Sequence, residues 1–463
     1  MDERRRARAA LSRLIEPGDL LAGALVAEAG PEAALAAVRS DTDPVEALRT
    51  RVGVRAEAAG LGPRQRDLRA GLTRWRTRRG RADPDEDLAR MDAASGGLII
   101  PEDDCWPTSV DDLGPAAPVA LWYRTSGRPA HRLPAARRSV AVVGSREITD
   151  YGLRVTSEIT EDLVRHGVCV VSGGAYGIDA AAHRAALRTG MRVTEETDPI
   201  PAAGTEDQAA ETAPTVAVLA GGLDRWYPAG NASLLQGILD HGVLLSELPP
   251  GCAPTRHRFL QRNRLIAALA AATVVVEARW RSGAQNTASH ALGIDRPVGA
   301  VPGSVYSASS AGCHRLLRST PAQVVTDAAD VAELMAHGRL SETWADAAEA
   351  ADGGAGPLER PLLSAEQLAA GHTGPTSPAA REAVVGPDQR PEDGLSAPDR
   401  LLYDALPVRA RATPGRLSEA AGVPLTRVLG GLSRLERSGL ADQVEGRWRK
   451  SRRAGPGRAA PPR

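Results

Sequence analysis

Short, continuous apolar runs alternate with helical patterns through the middle of the chain. Residues 140–143, 168–171, 214–219 and 272–276 are rich in valine, and a helical pattern follows each run. Continuous apolar runs are typical of parallel strands that are buried on both faces of a sheet. The sequence therefore predicts an α/β fold, with a ligand crevice formed by the loops at the carboxyl ends of the strands.

Segments of different composition surround this core. Apolar residues recur at helical spacing over residues 1–95, which predicts an N-terminal helical domain. The core with its lead-in of short strands is assigned to residues 96–335. Within it, the acidic segment 193–213 is rich in proline, alanine and threonine, so it cannot bury enough apolar area to order itself and is predicted to be a disordered insert.

The last third of the chain divides into three predicted segments. Residues 340–395 are rich in alanine, glycine, proline and acidic residues and read as a disordered linker. Three helical patterns and two short strand patterns follow in residues 396–450, an order that favours a winged-helix domain. Residues 451–463 form a basic tail.

Composition limits the classes of function. The 57 basic and 57 acidic residues balance, so affinity for a nucleic acid must come from local patches. The four cysteines are scattered, which predicts reduced structural thiols and no metal site. No apolar run approaches a membrane span, and we expect a cytoplasmic protein with no membrane contact. Neither a Walker loop nor a G-x-G-x-x-G fingerprint follows the first strand, and no cofactor is predicted.

Two glycine-rich loops follow neighbouring predicted strands. They offer backbone donors, hydroxyl groups and one guanidinium where a phosphate would lie at the start of a helix. The alternative is a purely structural role, in which the glycines are needed only because the turns require positive φ. The candidate residues are Gly144, Ser145 and Arg146 in the first loop, and Ser172, Gly173, Gly174, Tyr176 and Gly177 in the second.

Asp179 and His183 are four residues apart and are expected to share one face of a helix. A catalytic dyad is conceivable, but a structural hydrogen-bonded pair is favoured. No catalytic residue is predicted.

The segment 256–264 holds four arginines around Phe259, the one phenylalanine of the chain. Guanidinium groups with one aromatic ring suit a DNA single strand, because they neutralise its backbone and offer a stacking face worth about 1–3 kcal/mol per base. The alternative is that Phe259 joins Leu260 in the core.

The order of motifs resembles that of the DprA/Smf family of bacterial DNA-processing proteins. The motifs are VAVVGSR, SGGAYGIDAAAH, TVAVLAGGLDRWYPAGN, LLSELPPG, FLQRNRLIAAL and VVVEARWRSGAQNTA. This resemblance implies that the helical domain over residues 1–95 is of the SAM or helix-hairpin-helix type. It implies an extended Rossmann-like core that binds single-stranded DNA in a basic pocket. It also implies a homodimer that loads the RecA recombinase onto DNA, and no chemical reaction.

Carried over by motif, the resemblance assigns roles to individual residues. Arg146 and Arg256 would make basic contacts with DNA, Phe259 would stack a base, and the glycines and Ser145 would shape the pocket floor. Arg262, Asn263 and Arg264 belong to the signature of the family. Tyr176 departs from it, since many members have arginine there, and it would exchange a charge contact for stacking.

The sequence thus predicts a non-enzymatic protein that binds single-stranded DNA in DNA uptake (natural transformation) or recombination. Two alternatives would use the same crevice. One is an enzyme resembling nucleoside-monophosphate phosphoribohydrolases, whose PGGxGTxxE signature is absent here and for which Glu277 is the one well-placed carboxylate. The other is a nucleotide-sensing module.

Overall fold

The structure is a computed structural model that describes residues 2–126, 133–196, 213–337, 395–408 and 410–451. The chain divides into two compact units, one made of Met1–Ser341 with Ser396–Arg463 and the other of Glu342–Leu395. All the helices and strands named below belong to the first unit.

Helices make up the N-terminal part, as predicted. Aspartate side chains start several of them by accepting hydrogen bonds from free backbone N–H groups, as Asp2 does from Arg4 and Asp67 from Arg69. The helices pack around leucine and alanine side chains and the buried Trp75. Their bounds are α1 Glu3–Leu14, α2 Leu20–Arg39, α3 Glu46–Ala58, α4 Leu68–Arg76 and α5 Pro84–Ala93.

Helix α2 is, among the described residues, the one helix that is long and apolar enough to cross a membrane by length and composition. Gly30 leaves the helical conformation, with φ 78° and ψ 161°, and Pro31 follows it, so α2 consists of two helices joined at a kink. Leu21 and Leu25 before the kink and Val38 after it are buried in the N-terminal cluster. Both halves of α2 therefore pack in the core of the N-terminal helices.

Nine strands form one sheet in the described part of the chain, in the order β1-β2-β6-β5-β4-β3-β7-β8-β9. Strands β3 to β9 are parallel to one another, whereas β1 and β2 form an antiparallel hairpin that pairs with β6. The bounds are β1 Gly96–Ile99, β2 Leu121–Arg124, β3 Ser139–Val143, β4 Cys169–Ser172, β5 Thr215–Leu219, β6 Val243–Ser246, β7 Ala272–Val275, β8 Val298–Ala300 and β9 Gln323–Val324.

Helices between the strands give the sheet two buried faces. Along β5, Val216 and Val218 face one apolar cluster, while Ala217 and Leu219 face another. Continuous apolar runs are the consequence, and the prediction of a Rossmann-like α/β fold is confirmed. The helices are α6 Asp150–Arg165, α7 Ile178–Glu196, α8 Ala232–His241, α9 Arg256–Ala268, α10 Gly283–Gly293, α11 Ala311–Ser319 and α12 Ala328–Ala336.

The direction of the sheet changes at β3. From β3 the chain proceeds through β4 and β5 to β6 on one side, and it then returns to place β7, β8 and β9 on the other side. The boundary between β3 and β7 is therefore a topological switch point, because the connections after the two strands lead to opposite sides of the sheet.

Two details differ from the sequence analysis. The run Val243–Ser246 is the buried strand β6, where no strand was predicted because only the turn after it was recognised. Helix α7 continues to Glu196 and so includes residues 193–196 of the predicted insert. Residues 197–212, the linker up to residue 394 and the tail from residue 452 lie outside the described residues.

Three helices and an antiparallel strand pair follow the linker. They are α13 Ala397–Ala405, α14 Pro414–Ala421, α15 Leu425–Arg437, β10 Ala441–Val444 and β11 Arg447–Lys450. Gly422, in the left-handed conformation, ends α14 as a C-terminal glycine does. This element order is the expected one, and the assignment to the winged-helix class stays a prediction. Helix α13 packs against α9, and Arg78 donates to the carbonyl oxygen of Glu419 at 2.8 Å.

Candidate nucleic-acid interface

The loop after β3 is bonded to the loop after β4 and to the segment after β7, which contains Glu277, at the carboxyl edge of the sheet. The backbone N–H of Ser145 donates to the carbonyl oxygen of Glu277 at 2.7 Å, and its own carbonyl accepts from Ile178 at 3.1 Å. Gly177 has φ +79°, and a Cβ there would lie 2.7 Å from the carbonyl carbon of Arg146. These loops therefore use their backbone groups to hold each other, and Gly177 is needed both for its conformation and for this close approach.

The other candidates in the two loops are also part of the scaffold. Ser172 is buried, and its hydroxyl donates to Val142 O at 2.6 Å. At Gly144 a Cβ would lie 2.8 Å from Cβ of Ile178, and at Gly173 it would lie 2.7 Å from Nη2 of Arg262. The carbonyl of Gly174 accepts from the amide of Asn231 at 3.0 Å. These residues shape the floor beneath the surface.

Helix α9 begins at a capping residue and turns most of its arginines inward. The side chain of Thr255 accepts from Arg258 N at 3.2 Å. Arg262 is buried and donates to Gly173 O at 2.7 Å and to Val218 O, so it links the ends of β4 and β5. Burial and the charge of Arg146 lower the pKa of Arg262 to about 10, against the opposing effect of Asp179. The guanidinium therefore keeps its charge at neutral pH.

The next two residues of α9 fix the helix to its neighbours. Arg264, almost fully buried, forms an ion pair with Glu247 at 2.8 Å and donates to Ala116 O at 2.9 Å. The amide of Asn263 donates to the side-chain oxygen of Asn286 at 3.1 Å. In this structure Arg262, Asn263 and Arg264 hold α9 in place, and their predicted contact with DNA stays a prediction.

Phe259 lies on the outward side of α9, between guanidinium groups and another ring. It is half-buried. The guanidinium carbon of Arg146 lies 5.2 Å from its ring centroid, and that of Arg262 lies 5.7 Å away. The ring of Tyr227 is 5.7 Å from it, tilted by 53°. These distances are typical of cation–π contacts, and they lie at the exposed rim of the carboxyl edge. The alternative of a core residue beside Leu260 does not describe this position, because Leu260 is exposed.

Further aromatic and basic side chains are exposed on the loops after β3, β4 and β5 and at the start of α9. Tyr176, in the loop after β4, is 47% exposed, and Tyr227, in the loop after β5, is 52% exposed. Arg146 and Arg256 are exposed as well. The sequence analysis did not select Tyr227, although its position just after the Gly-Gly end of a strand was a usable signal. Exposed rings and guanidinium groups can stack bases and pair with phosphates.

The expected pairing of Asp179 with His183 is wrong. The Nδ1 atom of His183 lies 2.7 Å from the hydroxyl of Thr215, and the carboxylate of Asp179 accepts from Ala175 N at 3.4 Å. Burial, with help from the charge of Arg262, lowers the pKa of His183 to about 3. His183 is thus a neutral core residue at physiological pH.

Glu277, the candidate for the enzymatic alternative, is buried and fully engaged. One carboxylate oxygen accepts from Thr149 N at 3.1 Å and the other from the Thr149 hydroxyl at 2.6 Å. Thr149 is the N-terminal capping residue of α6. The carboxylate therefore supports a helix start and presents no oxygen to a ligand. Within the residues described, no group of three or more His, Cys, Asp or Glu side chains could hold a metal, and the four cysteines are free.

The fold and this edge define a class: a Rossmann-like α/β protein with aromatic rings and guanidinium groups at the carboxyl ends of its strands. Comparison with known proteins gives the family. The model of the family described as DNA recombination-mediator protein A matches residues 97–336. The chain belongs to this family, and the resemblance found in its motifs is confirmed.

Two curated relatives and one solved structure illustrate the match. A DNA processing protein DprA of Mycobacterium tuberculosis (strain ATCC 25618 / H37Rv), so named provisionally, is 39% identical over 473 residues, which cover 99% of this chain and 97% of that protein. The DNA processing protein DprA of Streptococcus pneumoniae (strain ATCC BAA-255 / R6) is 35% identical over 229 residues, 50% of this chain and 71% of that protein. An X-ray structure of DNA processing protein A from Streptococcus pneumoniae superposes with a TM-score of 0.49 and 26% identity, over 72% of this chain and 97% of that one.

Proposed function

We propose that this protein binds single-stranded DNA along the carboxyl edge of its sheet, with Phe259 stacking on a base. The observation that carries the proposal is the position of the Phe259 ring, half-buried at an exposed rim with the guanidinium of Arg146 5.2 Å from its centroid. Such a pair offers a stacking face and a phosphate partner side by side.

A single strand suits this surface better than a duplex. Its bases are free to stack on Phe259 and on the exposed rings of Tyr176 and Tyr227, whereas the bases of a duplex already stack on one another. The net charge of the chain is zero, so attraction to DNA depends on a few local arginines. We therefore expect binding with a modest salt dependence that reflects few phosphate contacts.

We divide the candidate site residues into those that contact DNA and those that hold the contacting side chains in place. Arg146 and Arg256 contact phosphates, and Phe259, Tyr176 and Tyr227 contact bases. The supporting residues hold these side chains in place from below; they are Gly144, Ser145, Ser172, Gly173, Gly174, Gly177, Arg262, Asn263 and Arg264. Buried hydrogen bonds from Arg262 to Gly173 O and from Ser172 to Val142 O support this division.

The cellular role follows from family membership. We propose that the protein acts in the cytoplasm as a homodimer and helps to load the RecA recombinase onto single-stranded DNA, in natural transformation or in recombination. Its C-terminal helices and strand pair, residues 396–450, would serve as a winged-helix domain. We assign no catalytic step, and the engaged carboxylate of Glu277 argues against the phosphoribohydrolase alternative.

Fluorescence anisotropy tests the binding proposal. A labelled ~20-mer, long enough to exceed the ~4–16 nucleotides of a typical single-strand site, is titrated as a single strand and as a duplex. Unlabelled nucleoside monophosphate serves as competitor. We expect the single strand to bind tighter than the duplex and to resist the competitor. Equal affinity for the duplex, or complete displacement by mononucleotide, would contradict the proposal and favour a small-ligand crevice.

The recombinase step needs a separate assay. Nucleation of RecA on DNA coated by a single-strand-binding protein should accelerate in the presence of the full chain. An unchanged rate, together with intact DNA binding, would remove the loading role and leave the binding proposal standing.

A further inference from the structure

A second pair of an aromatic ring and an arginine lies at the carboxyl edge, outside the Phe259 surface. Trp280, in the loop after β7, is 59% exposed. The guanidinium carbon of Arg315, on helix α11, lies 5.1 Å from its ring centroid. An exposed tryptophan at this edge leaves a large ring available for stacking on a ligand.

The pair is located at the topological switch point of the sheet. The loop after β7 and the loop after β3 lead to opposite sides of the sheet there, and in open parallel sheets ligands bind at such a point. The two loops are joined by an ion pair between Arg279 and Glu147. Trp280 is the next residue after Arg279 in the chain.

Two contacts and two steps along the chain connect the first surface with the second. It begins at Phe259, whose ring lies against Arg146. Glu147 follows Arg146 in the chain and pairs with Arg279. We expect a strand of DNA that leaves Phe259 along Arg146 to reach Trp280, and the negative charge of Glu147 between them is balanced by Arg279.

The loop that carries Trp280 is held in its conformation. The amide of Gln285 donates to the carbonyl oxygens of Arg279 at 2.8 Å and Trp280 at 2.7 Å. Ser282 caps α10 by accepting from Ala284 N at 3.1 Å. These hydrogen bonds fix the conformation of the loop that exposes the Trp280 ring, which lowers the entropy cost of stacking the ring on a base.

We infer that Trp280 and Arg315 form a second nucleotide-stacking site, which takes the continuation of the same DNA single strand across the switch point. The inference rests on the proposed function. A single strand is the occupant that fits, because the second site repeats the chemistry of the first, an arginine over an aromatic face, and is linked to it by contacts.

Oligonucleotides of two lengths test the inference. A ~5-mer can fill only one of the two surfaces, whereas a ~20-mer can cover both. Loss of one stacked base weakens binding about 5- to 150-fold. Trp280→Ala should show this loss with the ~20-mer, while the ~5-mer should lose much less affinity, because it can still occupy the intact Phe259 surface. Trp280→Phe should recover most of the loss.

Arg315→Gln and Arg318→Gln form a matched pair, since both arginines are exposed on α11 and only Arg315 lies on the ring of Trp280. Only Arg315→Gln should weaken binding of the long oligonucleotide. Wild-type affinity of Trp280→Ala for the long oligonucleotide would overturn the inference, and so would an equal loss for both lengths. If the wild-type protein binds neither length, the proposed function fails first, and the second site falls with it.

Discussion

Replacement of Phe259 by alanine probes the surface through its central ring. The ring contacts the guanidinium groups of Arg146 at 5.2 Å and Arg262 at 5.7 Å, and the ring of Tyr227 at 5.7 Å. In the free protein the variant loses two cation–π contacts of about 0.5–1 kcal/mol each, so we expect a loss of about 1–2 kcal/mol in the free energy of unfolding. In the complex it loses one stacked base, about 1–3 kcal/mol, which raises Kd by about 5- to 150-fold.

Two measurements on the same variant separate these effects. Anisotropy with a labelled single strand gives Kd, and urea denaturation gives the free energy of unfolding. The slope of log K against log salt should stay at its wild-type value, because no charge is removed. Leu260→Ala is the matched control, since Leu260 is the next residue of the same helix and is 39% exposed. Phe259→Tyr keeps the ring and should keep the affinity.

One combination of results would refute the reasoning. If Phe259→Ala binds single strands as the wild type does and unfolds much more easily than expected, the ring is a packing residue. The site would then have to be sought elsewhere on the carboxyl edge.

Three further predictions concern charge, packing and pH. Arg146→Gln should reduce the salt slope for a single strand by about 0.7, as expected when one phosphate contact is lost. Arg264→Leu should cost about 3–5 kcal/mol in urea denaturation, because it leaves the buried carboxylate of Glu247 without its partner. With its pKa lowered to about 3, His183 binds a proton in the unfolded chain but not in the folded one between pH 6.5 and 3, so stability falls on acidification. Its contribution should lower the free energy of unfolding by about 2 kcal/mol between pH 7.5 and 5, and His183→Asn should remove that part.

Each of these has its own control. Arg154→Gln, on the exposed side of α6, should leave the salt slope unchanged, and an equal drop would mean that charge alone, without a contact, sets the slope. Replacing both Arg264 and Glu247 by leucine should recover much of the stability lost in the single variant. No recovery would show that the unpaired carboxylate of Glu247 is not the cause of that loss. An unaltered pH dependence in His183→Asn would assign it to other groups.

The sheet could be predicted from the sequence because its strands are buried on both faces. The valine runs of β3, β4, β5 and β7 do not alternate with polar residues, and turn residues follow each run. Few structures other than parallel strands buried on both faces fit this pattern. Strand β6 was not predicted, because its run Val243–Ser246 is short and the proline-rich turn that follows it directly was the only feature recognised there. The N-terminal helices followed from their leucine spacing alone.

The candidate site was predictable in part. Composition indicated that the segment 256–264 is unusual, but only the helical conformation of α9 shows which arginines point inward. Arg262 and Arg264 are buried with backbone and carboxylate partners, whereas Arg256 is exposed. Tertiary neighbours cannot be read from local spacing, which explains why the partner of His183 is Thr215, 32 residues away, and not Asp179.

The central claim is that a DNA single strand lies on the carboxyl edge of the sheet, and photo-crosslinking tests it most directly. Oligonucleotides with 5-iodouracil at successive positions would be irradiated with the full chain, and the adducts mapped by mass spectrometry. We predict adducts on Phe259 and Tyr227, with longer oligonucleotides adding Trp280. Adducts confined to the C-terminal helices, such as α15, would contradict the account and move the binding surface off the sheet.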